Sequence, residues 1–140
     1  MLSRVANCLY WMSRYVERAE NIARILDTNL QLLLDYRDLG DARLTEHWTP
    51  VVQSMGNDAL FFNFYPAANG HSVTEFFTFR TDNSGSVVSC LAAARENART
   101  VRDQISVEVW EEINRLHLFL RSPRAQALWK SSPHDFFQEL

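Results

Sequence analysis

The sequence has few cysteines, glycines and prolines, and each shortage excludes a class of protein. Its 140 residues include two cysteines, Cys8 and Cys90, too few and too far apart for a disulfide framework or a zinc-binding cluster. Four glycines and four prolines are too few for a low-complexity or collagen-like chain. We therefore expect one globular domain, residues 1–140, in the reducing cytoplasm.

The sequence also has no large net charge and no long apolar run. A net charge of −3 gives no reason to expect a nucleic-acid partner. No apolar stretch reaches the roughly 20 residues that span a membrane, and the run from Val5 to Met12 is interrupted by Asn7, so no membrane partner or signal peptide is expected. Lys130 is the only lysine among 14 basic residues, a bias that suits bidentate pairing with oxyanions but also follows from a GC-rich genome.

Apolar residues recur at helical spacing over two long stretches, about 3–36 and about 85–121. The first stripe comprises Met12, Tyr15, Ala19, Ile22, Leu26 and Leu33. The second comprises Val87, Leu91, Ala94, Ala98, Val101, Ile105, Val109, Leu116 and Leu120. A helix about 50 Å long needs packing partners along its length. The pattern predicts an all-α helical bundle built on two long antiparallel helices.

Shorter helices are predicted at about 45–55 and 123–130, with a last turn at 134–140. The segment 56–86 is irregular and rich in aromatic residues, all of which are expected to be buried: Phe61, Phe62, Phe64, Tyr65, Phe76, Phe77 and Phe79. Within it, residues 73–81 are rich in β-forming residues but have no partner strand, so a short helix with buried aromatic rings is predicted. Phe136, Phe137 and Leu140 are expected to need a partner surface, as in a truncated chain.

The two long stretches share a polar pattern of arginine, glutamate and asparagine. It reads Glu17-Arg18-Ala19-Glu20-Asn21 in the first and Arg95-Glu96-Asn97-Ala98-Arg99 in the second. The candidate catalytic bases are Glu17 and Glu20. The candidate ligand-binding residues are Arg14, Arg18, Asn21, Arg24, Arg95, Glu96, Asn97, Arg99 and Arg102.

Two interpretations of this pattern stay open. On one continuous helix, Arg95, Arg99 and Arg102 would form a half-buried row that needs negative charge nearby. Glu17 and Glu20 could supply that charge in an interior network that only fixes helix register, in which case Arg99→Ala would cost about 3–5 kcal/mol. Alternatively, the arginines bind a carboxylate or phosphate ligand.

Familiar catalytic and metal-binding motifs are missing. No histidine follows a glutamate at the Glu-x-x-His spacing of di-iron bundles, and the sequence lacks GxGxxG, P-loop and HExxH motifs. His71 and Glu75 are four residues apart, but a lone pair is more often a surface contact than a metal site. We predict neither a metal nor a cofactor.

Several segments together resemble the bacterial α-E domain family, and the resemblance spans the whole chain. They are Met1-Leu2-Ser3-Arg4-Val5-Ala6, Leu9-Tyr10-Trp11-Met12, Arg14-Tyr15, Glu17-Arg18-Ala19-Glu20-Asn21, Ala94-Arg95-Glu96-Asn97-Ala98-Arg99, Arg102-Asp103, Trp110-Glu111 and Asn114. The resemblance implies an all-helical protein of uncharacterised activity, encoded beside or fused with circularly permuted ATP-grasp and transglutaminase-like proteins. Peptide ligation or peptide modification is the implied context.

The resemblance also implies longer proteins with a further Glu-Arg-Ala helix, so this chain resembles an N-terminal half. Such proteins carry Asn-Pro-Ser-Ser where this chain has Asn83-Ser84-Gly85-Ser86. Two functions stay open. One is a non-catalytic accessory or interaction module that binds an ATP-grasp or transglutaminase-like partner and forms a homo-oligomer. The other is an enzyme domain whose Arg/Glu/Asn cluster binds a carboxylate or phosphate substrate in acyl or peptidyl transfer.

Overall fold

The computed structural model describes residues 2–34, 41–132 and 135–137. These residues form helices and connecting turns without a strand, which confirms the predicted all-α class. The helices are α1 (Leu2–Leu34), α2 (Asp41–Met55), α3 (Asp58–Phe64), α4 (Gly70–Thr74), α5 (Val87–Thr100), α6 (Val107–Leu120) and α7 (Pro123–Ser131). One π-helical turn, Glu75–Phe79, continues α4, and a 3₁₀ turn, Arg102–Gln104, lies between α5 and α6.

The first long helix is confirmed, and α1 extends over 33 residues. Of its predicted stripe, Met12, Ala19 and Leu26 are buried, and Tyr15 and Ile22 are half-buried. Residues 35–36 and the side chain of Leu33 lie outside the described part of the chain. The stripe packs mainly against α5, which supplies the partner that so long a helix requires.

The second predicted helix, 85–121, is wrong as one continuous element. Helical geometry ends at Val101, whose φ of −115° and ψ of 27° leave the α region. The backbone is extended again at Ile105, and the hydroxyl of Ser106 accepts a hydrogen bond from the Val109 amide at 3.2 Å. Because that serine satisfies the first turn of a new helix, two helices form where apolar periodicity alone predicted one.

The break lets α6 fold back onto α5. Met12, near the start of α1, clusters with Ala94 and Ala98, near the end of α5, and with Ile113 of α6. Ala23, a third of the helix further on, lies with residues at the start of α5. Hence α1 and α5 are antiparallel, as predicted, and α6 runs in the same direction as α1 on the other side of α5.

Aromatic side chains hold the segment between α2 and α5 against this layer. The rings of Phe61 and Phe76 meet edge to face at 5.2 Å, and Phe61 stacks on Tyr65 at 5.1 Å. The helix predicted at 73–81 is confirmed by α4 and its π-helical continuation. Phe62 and Phe64 remain 41% and 42% exposed, so the expectation that every ring of this segment is buried is wrong.

The helix predicted at 123–130 is also confirmed. Ser122 caps α7 by accepting a hydrogen bond from the Ala125 amide, and Pro123 occupies the first turn. The expectation that Phe136 and Phe137 need an outside surface is wrong, because both are buried within this chain. Phe136 stacks on Phe119 at 5.8 Å. Leu140 lies outside the described residues.

Candidate functional site

The Glu17-Arg18 segment lies on the exposed side of α1. Ala19 and Ala23 turn towards the core and are 5% and 7% exposed, whereas Glu17 and Arg18 face solvent. Exposed with them are Glu20, Asn21 and Arg24. The predicted residues of α1 therefore flank the buried stripe on both sides, where each can contact a ligand or a partner.

Two contacts hold this segment locally. Arg14 pairs with Glu17 at 3.5 Å, with side chains 42% and 57% exposed. Exposed pairs at this spacing stabilise a helix by about 0.5 kcal/mol or less. Arg18 places its guanidinium 5.7 Å from the centre of the Tyr15 ring, a cation–π distance. These contacts orient Arg14 and Arg18 without burying either charge.

The matching residues of α5 point in several directions. Arg99 pairs with Glu96 on its own helix at 3.0 Å, with the two side chains 66% and 59% exposed. Asn97 donates its side-chain amide to the Ala93 carbonyl at 2.9 Å. Arg95 reaches α6, where its Nε donates to Asn114 Oδ1 at 2.7 Å. The second segment is thus spread over the helix surface.

Arg102 does not continue the row of Arg95 and Arg99, because it follows the end of α5. Its guanidinium lies 5.2 Å from the centre of the Trp110 ring. Asp103, next in the sequence, is exposed in the same 3₁₀ turn.

The predicted interior network between Glu17 or Glu20 and the arginines of α5 is wrong. Among the described residues, the ion pairs of Glu17 and Arg99 are each made within one helix, and Glu20 has no ion pair. The physical reason is that small side chains such as Ala19, Ala23 and Ala94 fill the contact between α1 and α5. They bring the two backbones close together and leave the charged groups at the edges.

On one side of the α1 stripe is a cavity of about 370 Å³, here called the Arg18 cavity. It is lined by Arg18, Asn21, Ile22, Ile25, Ser54, Met55, Asn57, Phe77, Asn83 and Gly85. Arg18 and Asn21 are predicted site residues, and the structure adds three polar groups from two other parts of the chain. A guanidinium, three amides and a hydroxyl around an apolar wall suit a small polar ligand.

Asn83 fixes one wall of the Arg18 cavity. It is fully buried, and its Oδ1 accepts hydrogen bonds from Asn57 Nδ2 and from the Gly85 amide, each at 3.0 Å. Its Nδ2 donates to the Phe76 carbonyl at 3.3 Å. Ser86 caps α5 by accepting from the Ser89 amide, so the helix start forms without the proline of the Asn-Pro-Ser-Ser pattern.

On the other side of the stripe is a groove of about 390 Å³ between α1 and α6, here called the Glu20 groove. Its apolar floor is formed by Val16, Ala19, Ala23, Val87, Leu91, Leu116 and Phe137. Its charged edge is formed by Glu20, Arg24, Asp27 and Glu112. Arg115 binds Glu112 through two hydrogen bonds of 2.6 and 3.0 Å and lowers the pKa of that carboxyl. Glu112 therefore stays anionic at neutral pH.

Other reactive groups do not add to either cavity. Within residues 2–34, 41–132 and 135–137, no three His, Cys, Asp or Glu side chains are grouped as metal ligands. His71 pairs with Glu75 at 3.7 Å on an exposed helix turn. Burial raises the pKa of the Cys90 thiol, although the nearby Arg18 opposes the shift. No helix in the described part of the chain has the length and apolarity to span a bilayer.

Sequence reasoning missed several residues that the fold brings to these cavities. Ser54, Asn57 and Asn83 come from the end of α2 and from two turns, and no periodic pattern marks them. Glu112 lies four residues after Glu108 on a charged helix face. The sequence alone does not distinguish it from other solvent-exposed glutamates. The break at Val101 is what brings α6 and Glu112 opposite Glu20.

Comparison with known proteins identifies relatives without a described function. The sequence model of the Alpha-E family, "a predicted alpha-helical domain with a conserved ER motif", matches residues 1–140. Glu17-Arg18 is the only Glu-Arg pair in this chain. Uncharacterized proteins of Mycobacterium bovis and of two Mycobacterium tuberculosis strains are 28%, 28% and 27% identical over 117 residues.

The matches cover 76% of this chain but 13% of each mycobacterial protein, so the chain spans a small part of their length. No solved structure matches the chain.

Proposed function

The chain belongs to the Alpha-E family, and from that premise we propose that it is an interaction module that binds a helix of a partner protein in the Glu20 groove. The observation that carries this proposal is the groove itself. Residues of α1, α5 and α6 line the groove. This arrangement leaves the position of a fourth helix of a bundle open. Helix-in-groove binding uses this combination of an apolar floor and a polar edge.

The apolar floor of the Glu20 groove suits an amphipathic helix better than a small metabolite. Ala19 and Ala23 are small, so a partner helix could approach the α1 backbone closely. Leu91 and Leu116 line the same groove with larger apolar side chains. Burying apolar side chains here would contribute about 25 cal/mol for each Å² removed from water.

Charge complementarity indicates the polar character of the partner helix. At the edge of the Glu20 groove, the carboxylate of Glu112 is paired with Arg115, whereas that of Glu20 has no ion pair among the described residues. A partner helix with lysine or arginine beside its apolar stripe fits this edge, because opposite charges orient the two helices.

The partner class comes from the resemblance, which implies ATP-grasp and transglutaminase-like proteins of a peptide-ligation or peptide-modification system. Our proposal places the chain in the cytoplasm as the accessory component of such a system. A second copy of the chain is the competing occupant of the groove, and it would make the module a homo-oligomer.

A second candidate function is favoured by the Arg18 cavity. In that proposal the Arg/Glu/Asn residues belong to an enzyme domain that binds a carboxylate or phosphate substrate in acyl or peptidyl transfer. Arg18 and Asn21 do converge with Ser54 and Asn57 around about 370 Å³. Neither Glu17 nor Glu20 lines that cavity, so a base would have to come from another molecule or another residue.

The test is calorimetric titration of the ATP-grasp and transglutaminase-like proteins from the same genome into this chain. Glu20→Lys should weaken binding by about tenfold or more, since it reverses a charge at the groove edge. Glu17→Lys is the matched control, because Glu17 is also exposed on α1 but does not line the groove.

Equal weakening by both variants, or no binding of either protein, would contradict the helix-binding proposal. Sedimentation of the chain alone shows whether a second copy occupies the groove. For the second candidate, phosphate or glutamate should raise the melting temperature of the wild type and not that of Arg18→Gln.

A further inference from the structure

Arg95 is held between two helices by a neutral group. Its side chain is half-buried, and its Nε donates to Asn114 Oδ1 at 2.7 Å. The Asn114 amide is itself oriented, since its Nδ2 donates to the Trp110 carbonyl at 3.0 Å. The guanidinium of Arg95 is therefore oriented by an amide, and within the described residues no carboxylate pairs with it.

The terminal nitrogens of Arg95 remain available for a ligand. Over the residues that the structure describes, Arg95 forms no ion pair, whereas Arg99 pairs with Glu96 one turn further along α5. An arginine carries five N–H donors, and Asn114 uses the one on Nε. The remaining donors form the fork that binds two oxygens of a carboxylate or phosphate.

Two more basic side chains follow Asn114 along the same line of α6. His117 is one turn beyond Asn114, and Arg121 is one turn beyond His117. Burial lowers the pKa of His117, and the positive charges of Arg121 and Arg95 lower it further. Both guanidiniums thus lie within electrostatic range of the imidazole, and no carboxylate contributes an opposing effect.

His117 also has an unsatisfied polar atom. Its Nδ1 is buried without a hydrogen-bond partner in the described structure. A buried nitrogen without a partner is costly, and in native proteins it often marks the place of a water or an ion. The positive charges of Arg95 and Arg121 also oppose protonation of His117, and a bound anion would offset that repulsion.

We propose that Arg95, His117 and Arg121, with Asn114 as the positioning residue, form an oxyanion-binding site on the seam between α5 and α6, here called the Arg95 seam. Its ligand carries a carboxylate or a phosphate group. The site lies apart from the Glu20 groove, since none of these four residues lines that groove. The Arg95 seam is therefore a second binding site, and its ligand does not depend on helix binding in the Glu20 groove.

The seam accepts one oxyanion rather than a polyanion. Its basic side chains occupy about two turns at the end of α6 and a single residue of α5, a span of roughly 10 Å. Nearby Arg99 is neutralised by Glu96, so the positive charge does not extend along α5. A lone carboxylate or phosphate matches this extent and leaves no stranded negative charge.

The experiment follows the Arg95 Nε–Hε and His117 imidazole resonances by NMR while inorganic phosphate, and separately glutarate, is added at constant ionic strength. Both resonances should shift with saturation, and Arg95→Gln or Arg121→Gln should weaken binding by about tenfold. Arg99→Gln is the matched control, since it removes the same charge one turn away and should change affinity by less than about twofold.

A pH series with sulfate sharpens the test, because sulfate keeps its charge over the range in which histidine titrates. An anion beside His117 favours the protonated imidazole, so affinity should rise from about pH 8 to about pH 6. His117→Asn should abolish that rise. This readout would not change if His117 were only a packing residue.

Saturation by phosphate alone or by glutarate alone supports the site and identifies the oxyanion class. Absence of saturable shifts with both anions overturns the proposal. So does equal weakening by Arg99→Gln and Arg121→Gln, because that result indicates general screening. Arg121 is exposed, so its variant should fold and keep the test decisive even if Arg95→Gln destabilises the protein.

Discussion

The contact between α1 and α5 and the aromatic segment between α2 and α5 are both buried, yet they are built in opposite ways. Alanines line the first, and Ala94 and Ala98 are fully buried there. Interlocking rings fill the second, where Phe61 and Phe76 are fully buried. The first region gains stability from close backbone approach and the second from large apolar surface.

This difference predicts opposite sensitivities. The alanine contact has little volume to lose and should be damaged by added atoms. The aromatic segment should tolerate surface changes and be damaged by lost atoms.

The largest effect is expected from Phe76→Ala in the aromatic segment. Removing a fully buried ring that contacts Phe61, Tyr65 and Phe77 should lower the free energy of unfolding by about 3–5 kcal/mol. Urea denaturation followed by circular dichroism measures this loss. Phe62→Ala is the control, because Phe62 is 41% exposed and should cost clearly less. Equal losses of unfolding free energy in the two variants would contradict the burial of the Phe76 ring.

Asn83→Ala tests the polar link between the two regions and should have the second largest effect. Asn83 joins the turn after α2, the π-helical turn and the start of α5 through three hydrogen bonds of its side chain. At about 1 kcal/mol for each bond, the loss should be about 3 kcal/mol. Asn63→Ala, at an exposed site of α3, should be nearly neutral in the same denaturation experiment.

Ala94→Leu should break the alanine contact by overpacking. The added atoms would separate α5 from α1 near Met12 and lower the free energy of unfolding by about 2 kcal/mol. Ala6→Leu, at an exposed position of α1, should leave stability almost unchanged. If Ala94→Leu instead raised the melting temperature, the contact would contain unfilled space.

The smallest effect is expected from Arg99→Ala at the edge of the alanine contact. Its pair with Glu96 is exposed and local, so the loss should be below about 1 kcal/mol, in contrast to the 3–5 kcal/mol expected of a buried network. Thermal denaturation at low and high salt measures the difference. A loss of several kcal/mol would restore the interior network that the structure contradicts.

The amino-acid sequence by itself determined the helical class, the length of α1 and the position of α7. Those features depend on local periodicity and on Ser122 and Pro123, which act through neighbouring residues. The family resemblance also followed from sequence alone, since residues 1–140 match the Alpha-E model.

Only the tertiary structure decided where the polar residues of the repeated segments point and what surrounds them. The reversal at Val101 turned one predicted helix into two, moved Arg102 off the row of Arg95, and placed His117 near that arginine. Apolar periodicity is nearly the same for one long helix and for two helices folded back on each other. The capping bond of Ser106 and the packing of α6 on α5 select between them, and those interactions become visible only when the chain is folded.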